Sequence, residues 1–350
     1  MFRASILFFL AFLLYACASD PAAQVVDQGE TAEDQFVTLY THRHYDTDKE
    51  IFAAFAQETG IEVRVVKASA DELIQKMKTE GEQSPADLLL TVDAGRLVRA
   101  EQQDLLQAVS STTLEQAVPS HLRDDDNKWF GLTKRARIIV YDKERVQPED
   151  LSTYEGLTDA KWEGKLLIRS SNNIYNQSLL ASIIANNGPA AAKEWAGGVV
   201  KNFARPPKGN DRDQVKAILA REGEIAVVNT YYLGLLLNSE DAKAKAAGEN
   251  VSIFFPNQEG RGTHINVSGI GLAKFAPHRD HAIKLMEYLV SKEVQEIFAS
   301  SNYEYPVNPA AATSELLQSW GDFKEDQLSL SKLGELNQKA VLTFDEVSWP

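Results

Sequence analysis

From residue 36 the apolar positions alternate between two rhythms. Phe36-Val37-Thr38-Leu39-Tyr40 is a strand-like run. After a polar break, Asp48 to Thr59 carries Ile51, Phe52 and Phe55 at helical spacing and stops at Gly60, a helix C-terminal signal. Ile61 to Val66 reads as a strand. Ala70 to Glu80 reads as a helix with Leu73, Ile74 and Met77 on one face. Asp87 to Thr91 is a short apolar run with buried-strand character, and Ala94 to Gln103 is again helical. Regular strand–helix alternation predicts an α/β fold with mostly parallel sheets covered by helices on both faces.

Trp129 to Tyr141 (WFGLTKRARIIVY) is longer, β-rich, and breaks this rhythm. Such a run can carry the chain from one lobe to another. Beyond it, the pattern predicts strands over Lys165 to Arg169, Glu224 to Val228, Val251 to Phe255 and Ile265 to Ala273. Helices are expected from Tyr175 to Asn186, about Tyr231 to Leu237, Arg279 to Leu289 and Lys292 to Ser300. Ser314 to Pro350 is mainly helical and amphipathic.

The first residues follow neither rhythm. Ile6 to Tyr15 is an unbroken apolar run behind the basic start Met1-Phe2-Arg3. It is too short for a spanning helix of roughly 20 residues and fits the core of an export signal. Leu14-Tyr15-Ala16-Cys17 follows, and a small residue directly before a cysteine resembles a bacterial lipobox, with residues 1–17 removed or lipidated at Cys17. Cys17 is the only cysteine, so no intramolecular disulfide can form. Residues 18–35 are poor in large apolar side chains and read as a flexible tether. The expectation is a periplasmic or cell-envelope protein held to a membrane only through the lipid at Cys17.

The chain has 350 residues, with 36 basic against 50 acidic side chains and a formal charge of −14. That balance argues against a nucleic-acid partner, which would require a basic patch. It is compatible with cation binding. The candidate chemistry lies in tyrosines. Tyr45, Tyr175 and the adjacent pair Tyr231-Tyr232 each follow a predicted strand and stand where a helix begins. In open α/β sheets ligands bind at the carboxyl ends of strands, and helix N-termini favour negative charge.

Several phenolates meeting at one point suggest a hard, highly charged cation, because only a strong Lewis acid displaces a phenol proton of pKa about 10 near neutral pH. Ferric iron fits. Calcium and magnesium prefer carboxylates and water, and zinc and copper prefer nitrogen and sulfur. His44, beside Tyr45, offers an imidazole. Tyrosine also lines sugar or peptide clefts by stacking, and from the residues alone both readings stand. The sequence contains no G-x-S-x-G elbow and no H-E-x-x-H helix, so an exported hydrolase is the weaker alternative.

The segments THRHYDTDKEIFAAFAQETGIEV, SPADLLLTVDAGRL, WFGLTKRARIIVYDK, RSSNNIYNQSLLASIIA, GNDRDQVKAI, VVNTYYLG and FFPNQEGRGTHINVSGIG occur in this order. Together they resemble the ferric-iron-binding proteins of bacterial ABC importers, the bacterial transferrins, and most closely their cyanobacterial-type subgroup. The likeness runs from about residue 36 to 345. It implies a two-lobed periplasmic-binding-protein fold of class II type, with iron held between the lobes and no enzymatic activity or organic cofactor. It places lobe 1 at 36–133 plus about 262–300, and lobe 2 at 134–261 plus about 301–350. It implies Fe(III) as cargo, a membrane permease with its ATPase as partner, and a monomer.

The resemblance also assigns Tyr45, Tyr175, Tyr231 and Tyr232 as iron ligands. His44 is an additional ligand in some members, and Arg135 is a residue lying just behind the metal. Where some members carry an arginine after the tyrosine pair, this chain has Leu235. The cyanobacterial-type pattern points away from a required synergistic anion. Arg137, two positions from Arg135 on the same strand, reads as a cleft residue or a salt-bridge partner. Asp93 reads as a helix cap, and Gly260 to Thr263 as a turn before a strand with His264 structural. His42 has no predictable direction.

Overall fold

The computed structural model describes residue 1 and residues 35–43 and 45–350. The segments expected to be an export signal and a tether, with Cys17 and His44, therefore lie outside the described residues, apart from Met1 and Gln35.

The opening rhythm folds as its spacing demands. β1 (Phe36–Thr41) leads into α1 (Asp46–Thr59), which ends on Gly60 at φ 76° with its N–H bonded to the Ala56 carbonyl. A left-handed residue is needed there and glycine takes it without a Cβ clash. β2 (Glu62–Lys67) precedes α2 (Ala70–Glu80), started by a Ser69–Glu72 capping box. β3 (Leu88–Thr91) precedes α3 (Ala94–Gln102), whose first turn Asp93 caps through the Gly95 N–H. A short β4 (Leu106–Gln107), α4 (Thr112–Ala117) and the long β5 (Trp129–Asp142) follow.

The second half comprises β6 (Leu166–Leu167), α5 (Ile174–Asn187), α6 (Pro189–Lys201), α7 (Asp211–Leu219), β7 (Ile225–Asn229), α8 (Thr230–Leu237), α9 (Ala242–Asn250) and β8 (Val251–Phe254). Then come β9 (Ile265–Ala273), α10 (Arg279–Leu289), α11 (Lys292–Ile297), β10 (Tyr305–Pro306), α12 (Glu315–Ser319), α13 (Ser331–Glu335) and α14 (Asn337–Glu346).

Two sheet regions share β5. Its first part, Trp129–Ala136, pairs with β9, and the path continues through β3 and β1 to β2. Its second part, Arg137–Asp142, pairs with β7 on one side and β8 on the other, with β6 beyond β7. One strand thus belongs to both halves, giving the two-lobed α/β architecture. The expectation of mostly parallel sheets holds only for β1–β2, β1–β3 and β6–β7. β5 and β9 run antiparallel to all their neighbours. Burial on both faces makes a strand apolar whichever way it runs, so sequence pattern does not report direction.

Local departures have local causes. The strand expected over Lys165 to Arg169 shrinks to Leu166–Leu167, because the following residues turn away toward α5. The helix expected over Lys292 to Ser300 ends at Ile297 and passes into a π-helical turn, Phe298–Asn302, closed by Tyr303 at φ 57°. The chain end packs an aromatic knot: Trp349 lies against Phe344 and Phe203, with centroids 4.8 and 5.0 Å away. Its indole N–H donates to the Arg169 carbonyl at 3.1 Å, fixing the segment that leads to Tyr175.

Candidate functional site

Tyr45 is the N-cap residue of α1, with extended backbone at φ −75° and ψ 138°. Its neighbour Arg43 is 2% exposed. The Arg43 guanidinium forks onto Asp48, with Nε to Oδ2 and Nη2 to Oδ1 both at 3.1 Å, and reaches Glu304 at 3.5 Å. Its central carbon sits 4.8 Å from the centroid of the Tyr45 ring. Two buried carboxylates on one guanidinium thus hold a cation against the phenol face.

Tyr175 is the second residue of α5, where its own N–H is capped by the Asn173 side chain at 3.2 Å. Tyr231 and Tyr232 occupy the first turn of α8, directly after β7. Asn229 precedes that helix but does not cap it, because its side-chain oxygen accepts from Arg137 at 3.1 Å. The adjacent rings fold toward each other, with centroids 4.2 Å apart and planes at 37°. The Tyr231 hydroxyl donates to that of Tyr175 at 3.2 Å.

All four phenols line one cavity of about 570 Å³, with walls from elements that follow β1 of the first sheet region and β6 and β7 of the second. The cavity wall also carries Arg43, Arg96, Arg169 and Arg212, and no carboxylate. Burial pushes the Tyr45, Tyr231 and Tyr232 phenols above their ordinary range. For Tyr45 the Glu304 charge adds to this, and for Tyr231 and Tyr232 the neighbouring phenols do. A polar cavity of about 630 Å³, lined by Arg96, Arg99, Gln177 and Asn337 among others, carries no phenol.

Arg135 does not reach this cavity wall. It lies behind Tyr175, 5.5 Å from the ring centroid, and pairs with Asp93 at 3.3 Å. Arg137 is a salt-bridge residue, bound to Asp211 and hydrogen-bonded to Asn176 at 2.9 Å. Asp93 caps α3 as its position suggests and also accepts from Ser178 at 3.0 Å and Asn266 at 2.9 Å. His264 is buried, and burial with the Arg135, Arg137 and Arg261 charges pushes its imidazole down to about 3.

Sequence reasoning missed the four arginines of the cavity and Glu304. Arg96, Arg169 and Arg212 are far apart along the chain and each resembles an ordinary surface charge. Arg43 had one usable signal, its place two residues before Tyr45. His42, left without a direction, lines the cavity.

Residues 50–325 match the family model of bacterial extracellular solute-binding proteins. The chain is 50% identical over 337 residues to iron uptake protein A1 of Synechocystis sp., an alignment covering 96% of this chain and 93% of that one. Among solved structures it resembles the Trichodesmium IdiA (FutA) protein in complex with iron and citrate ligands. The TM-score is 0.87, with 48% identity over 90% of this chain and 100% of that one. A ferric binding protein from Campylobacter jejuni gives a TM-score of 0.86 and 45% identity, again over 90% and 100% of the two chains. Family match, fold and extended identity agree: this chain belongs to the bacterial extracellular solute-binding proteins, in the family that includes iron uptake protein A1.

Proposed function

We propose that this protein is the solute-binding component of an ABC-type importer and captures ferric iron through the phenolate oxygens of Tyr45, Tyr175, Tyr231 and Tyr232. The observation that carries the reading is the convergence of four phenols, from three separate strand–helix junctions, on one cavity. Among the described residues no group of three or more His, Cys, Asp or Glu side chains is placed to hold a metal, so phenols are the anionic donors at hand. His44 supplies a fifth ligand from the segment beside Tyr45. The names of the relatives, an iron uptake protein and a ferric binding protein, support the same cargo.

Each phenol that coordinates loses its proton to solvent, and three or four phenolates offset a +3 charge. Arg135 and Arg43, within 6 Å of the Tyr175 and Tyr45 rings, temper the excess negative charge. Tyr45 follows the first sheet region and the other three phenols follow the second, so closing the cleft completes the ligand set. The chain crosses between regions at Ala136–Arg137 and near His264–Ile265, and we assign the hinge there. The closed, loaded form is then read by the membrane permease and its ATPase, with the protein held at the membrane by Cys17.

The decisive experiment adds chelated Fe(III) to the iron-free protein and records the visible spectrum. A tyrosinate-to-iron charge-transfer band is expected; a colourless protein that retains no iron rejects the proposal. A second reading is a small anionic organic solute in the same cavity, favoured by four guanidiniums on a wall without carboxylates. Saturable stabilisation by such an anion, with no iron bound under any condition, would select it.

A further inference from the structure

Asp211, the first residue of α7, is fully buried. Its two carboxylate oxygens serve different segments. Oδ1 accepts from Arg137 Nη1 and from the backbone N–H of Asn229, the latter at 3.1 Å. Oδ2 accepts from Arg169 Nη1 at 3.1 Å. One carboxylate thus joins β5, the segment that follows β6 and the last residue of β7, besides the start of its own helix.

Each branch leads to a phenol. Asn229 directly precedes α8, so the bond to its N–H fixes where the turn carrying Tyr231 and Tyr232 begins. Arg137 reinforces that end through Asn229 Oδ1 at 3.1 Å, and its Nη2 donates to Asn176 Oδ1 at 2.9 Å. Asn176 is the neighbour of Tyr175, and its Nδ2 donates to the Arg169 carbonyl at 2.6 Å. A closed circuit therefore runs from Asp211 through Arg137, Asn176 and Arg169 back to Asp211. The Arg137 and Arg169 guanidiniums stand 5.9 and 5.8 Å from the centroid of the Tyr175 ring. The circuit holds the start of α5 and its Asn229 branch holds the start of α8, the two helix starts whose tyrosine hydroxyls meet at 3.2 Å.

We propose that Asp211 is a positioning residue for the metal site, holding the Tyr175 and Tyr231-Tyr232 junctions at the separation that one ion can bridge. The inference rests on the tyrosinate coordination proposed above. Asp211 touches no metal; it acts through the arginines and backbone that it ties together. Its replacement by asparagine has a directional consequence. An amide keeps the size but has one acceptor oxygen. That oxygen stays with the two donors at Oδ1, and the amide nitrogen then faces Arg169, donor against donor. The Arg169 side of the circuit is released and Tyr175 with it, while the start of α8 keeps its bond.

Asp211→Asn, loaded with chelated Fe(III), tests this by chelator competition and by the charge-transfer band. Iron retention is expected to fall by about 10–100-fold, and the band to weaken per bound iron and shift as Tyr175 leaves the ligand set. The control is Asp142→Asn, which cuts the buried Asp142–Arg145 pair at the opposite end of the β5–β7 ladder. It should lower the urea midpoint without moving the band or the retention. A folded Asp211→Asn protein with unaltered retention and band overturns the proposal, and so does an equal change in both variants. Should Asp211→Asn fail to fold, Arg169→Met decides: it leaves the Arg137–Asp211 pair in place, and unchanged retention and band in it overturn the proposal. A wild-type protein that shows no band fails the coordination reading itself, an outcome separate from any of these.

Discussion

The hydroxyl groups of Tyr231 and Tyr175 lie 3.2 Å apart, although the residues are 56 positions apart and start different helices. Two neutral phenols at this distance share one hydrogen bond. Two phenolates at the same distance repel unless a cation lies between them. On the proposed coordination, a cation between the two oxygens takes the place of this hydrogen bond. Replacing either residue by phenylalanine keeps the ring and removes one donor. We expect Tyr231→Phe or Tyr175→Phe to weaken iron retention by about 100-fold or more, above the 10–100-fold of outer-shell changes. Competition against a chelator measures this. Tyr288→Phe, far from the cavity wall, should leave retention unchanged, and equal losses in all three variants would remove the site assignment.

The pH dependence has a definite sign. Burial and neighbouring charge raise the Tyr45, Tyr231 and Tyr232 phenols above 10, so without metal they are neutral at pH 7. Each that coordinates must release a proton, and binding therefore strengthens as pH rises. Below the phenol range the apparent affinity should gain about tenfold per pH unit for every phenol ionised on binding. Proton release on loading, followed in weakly buffered solution, should be two or more per iron. Loading with no proton release would mean that the phenols are not the donors.

How much of this was legible in the sequence follows from which physical signals are local. Strand–helix alternation is local, so the junctions carrying Tyr45, Tyr175 and Tyr231-Tyr232 were placed correctly at strand ends. The capping box that starts α7, Asn210 with Asp213, is also local and was present in the GNDRDQVKAI segment, yet that helix went unassigned. Strand direction is not local. β9 and β5 have the same apolar run whether they pair parallel or antiparallel, and only the tertiary fold decides. The arginine wall is the furthest from legible, because Arg43, Arg96, Arg169 and Arg212 meet only after both sheet regions form. Arg135 was singled out by resemblance, but its ion pair with Asp93 joins residues 42 positions apart and has no sequence signature.

Arg43 ties the Tyr45 segment to the interior through Asp48 and Glu304, both buried. Removing the guanidinium leaves two carboxylates without their cation. Arg43→Met is expected to cost about 3–5 kcal/mol in urea unfolding, the range for breaking a buried ion pair from one side. Arg43→Lys keeps the charge but loses the fork onto Asp48 and the flat contact with the Tyr45 ring, so it should recover only part of the loss. Full recovery by lysine would show that charge alone, not the two-pronged geometry, matters here.

Gly234, two residues after the tyrosine pair, sets two effects against each other. Glycine inside a helix is worse than alanine by about 1 kcal/mol, so Gly234→Ala on an isolated helix would stabilise. Here a Cβ would meet Tyr303 Cβ and Cγ at 2.6 Å. Those atoms are close to the backbone of Tyr303, which is itself held at φ 57° by the end of the π-helical turn. The ring cannot swing aside without moving that segment or α8. Overpacking of this kind costs about 1–3 kcal/mol, so the clash outweighs the propensity gain and the net change should be destabilising by roughly 1 kcal/mol in chemical denaturation. If α8 yields instead of Tyr303, Tyr231 and Tyr232 move with it, and Gly234→Ala should weaken iron retention although it touches no ligand. A stabilised variant with unchanged retention would show that the Tyr303 segment gives way freely, and that this close approach does not help to position the tyrosine pair.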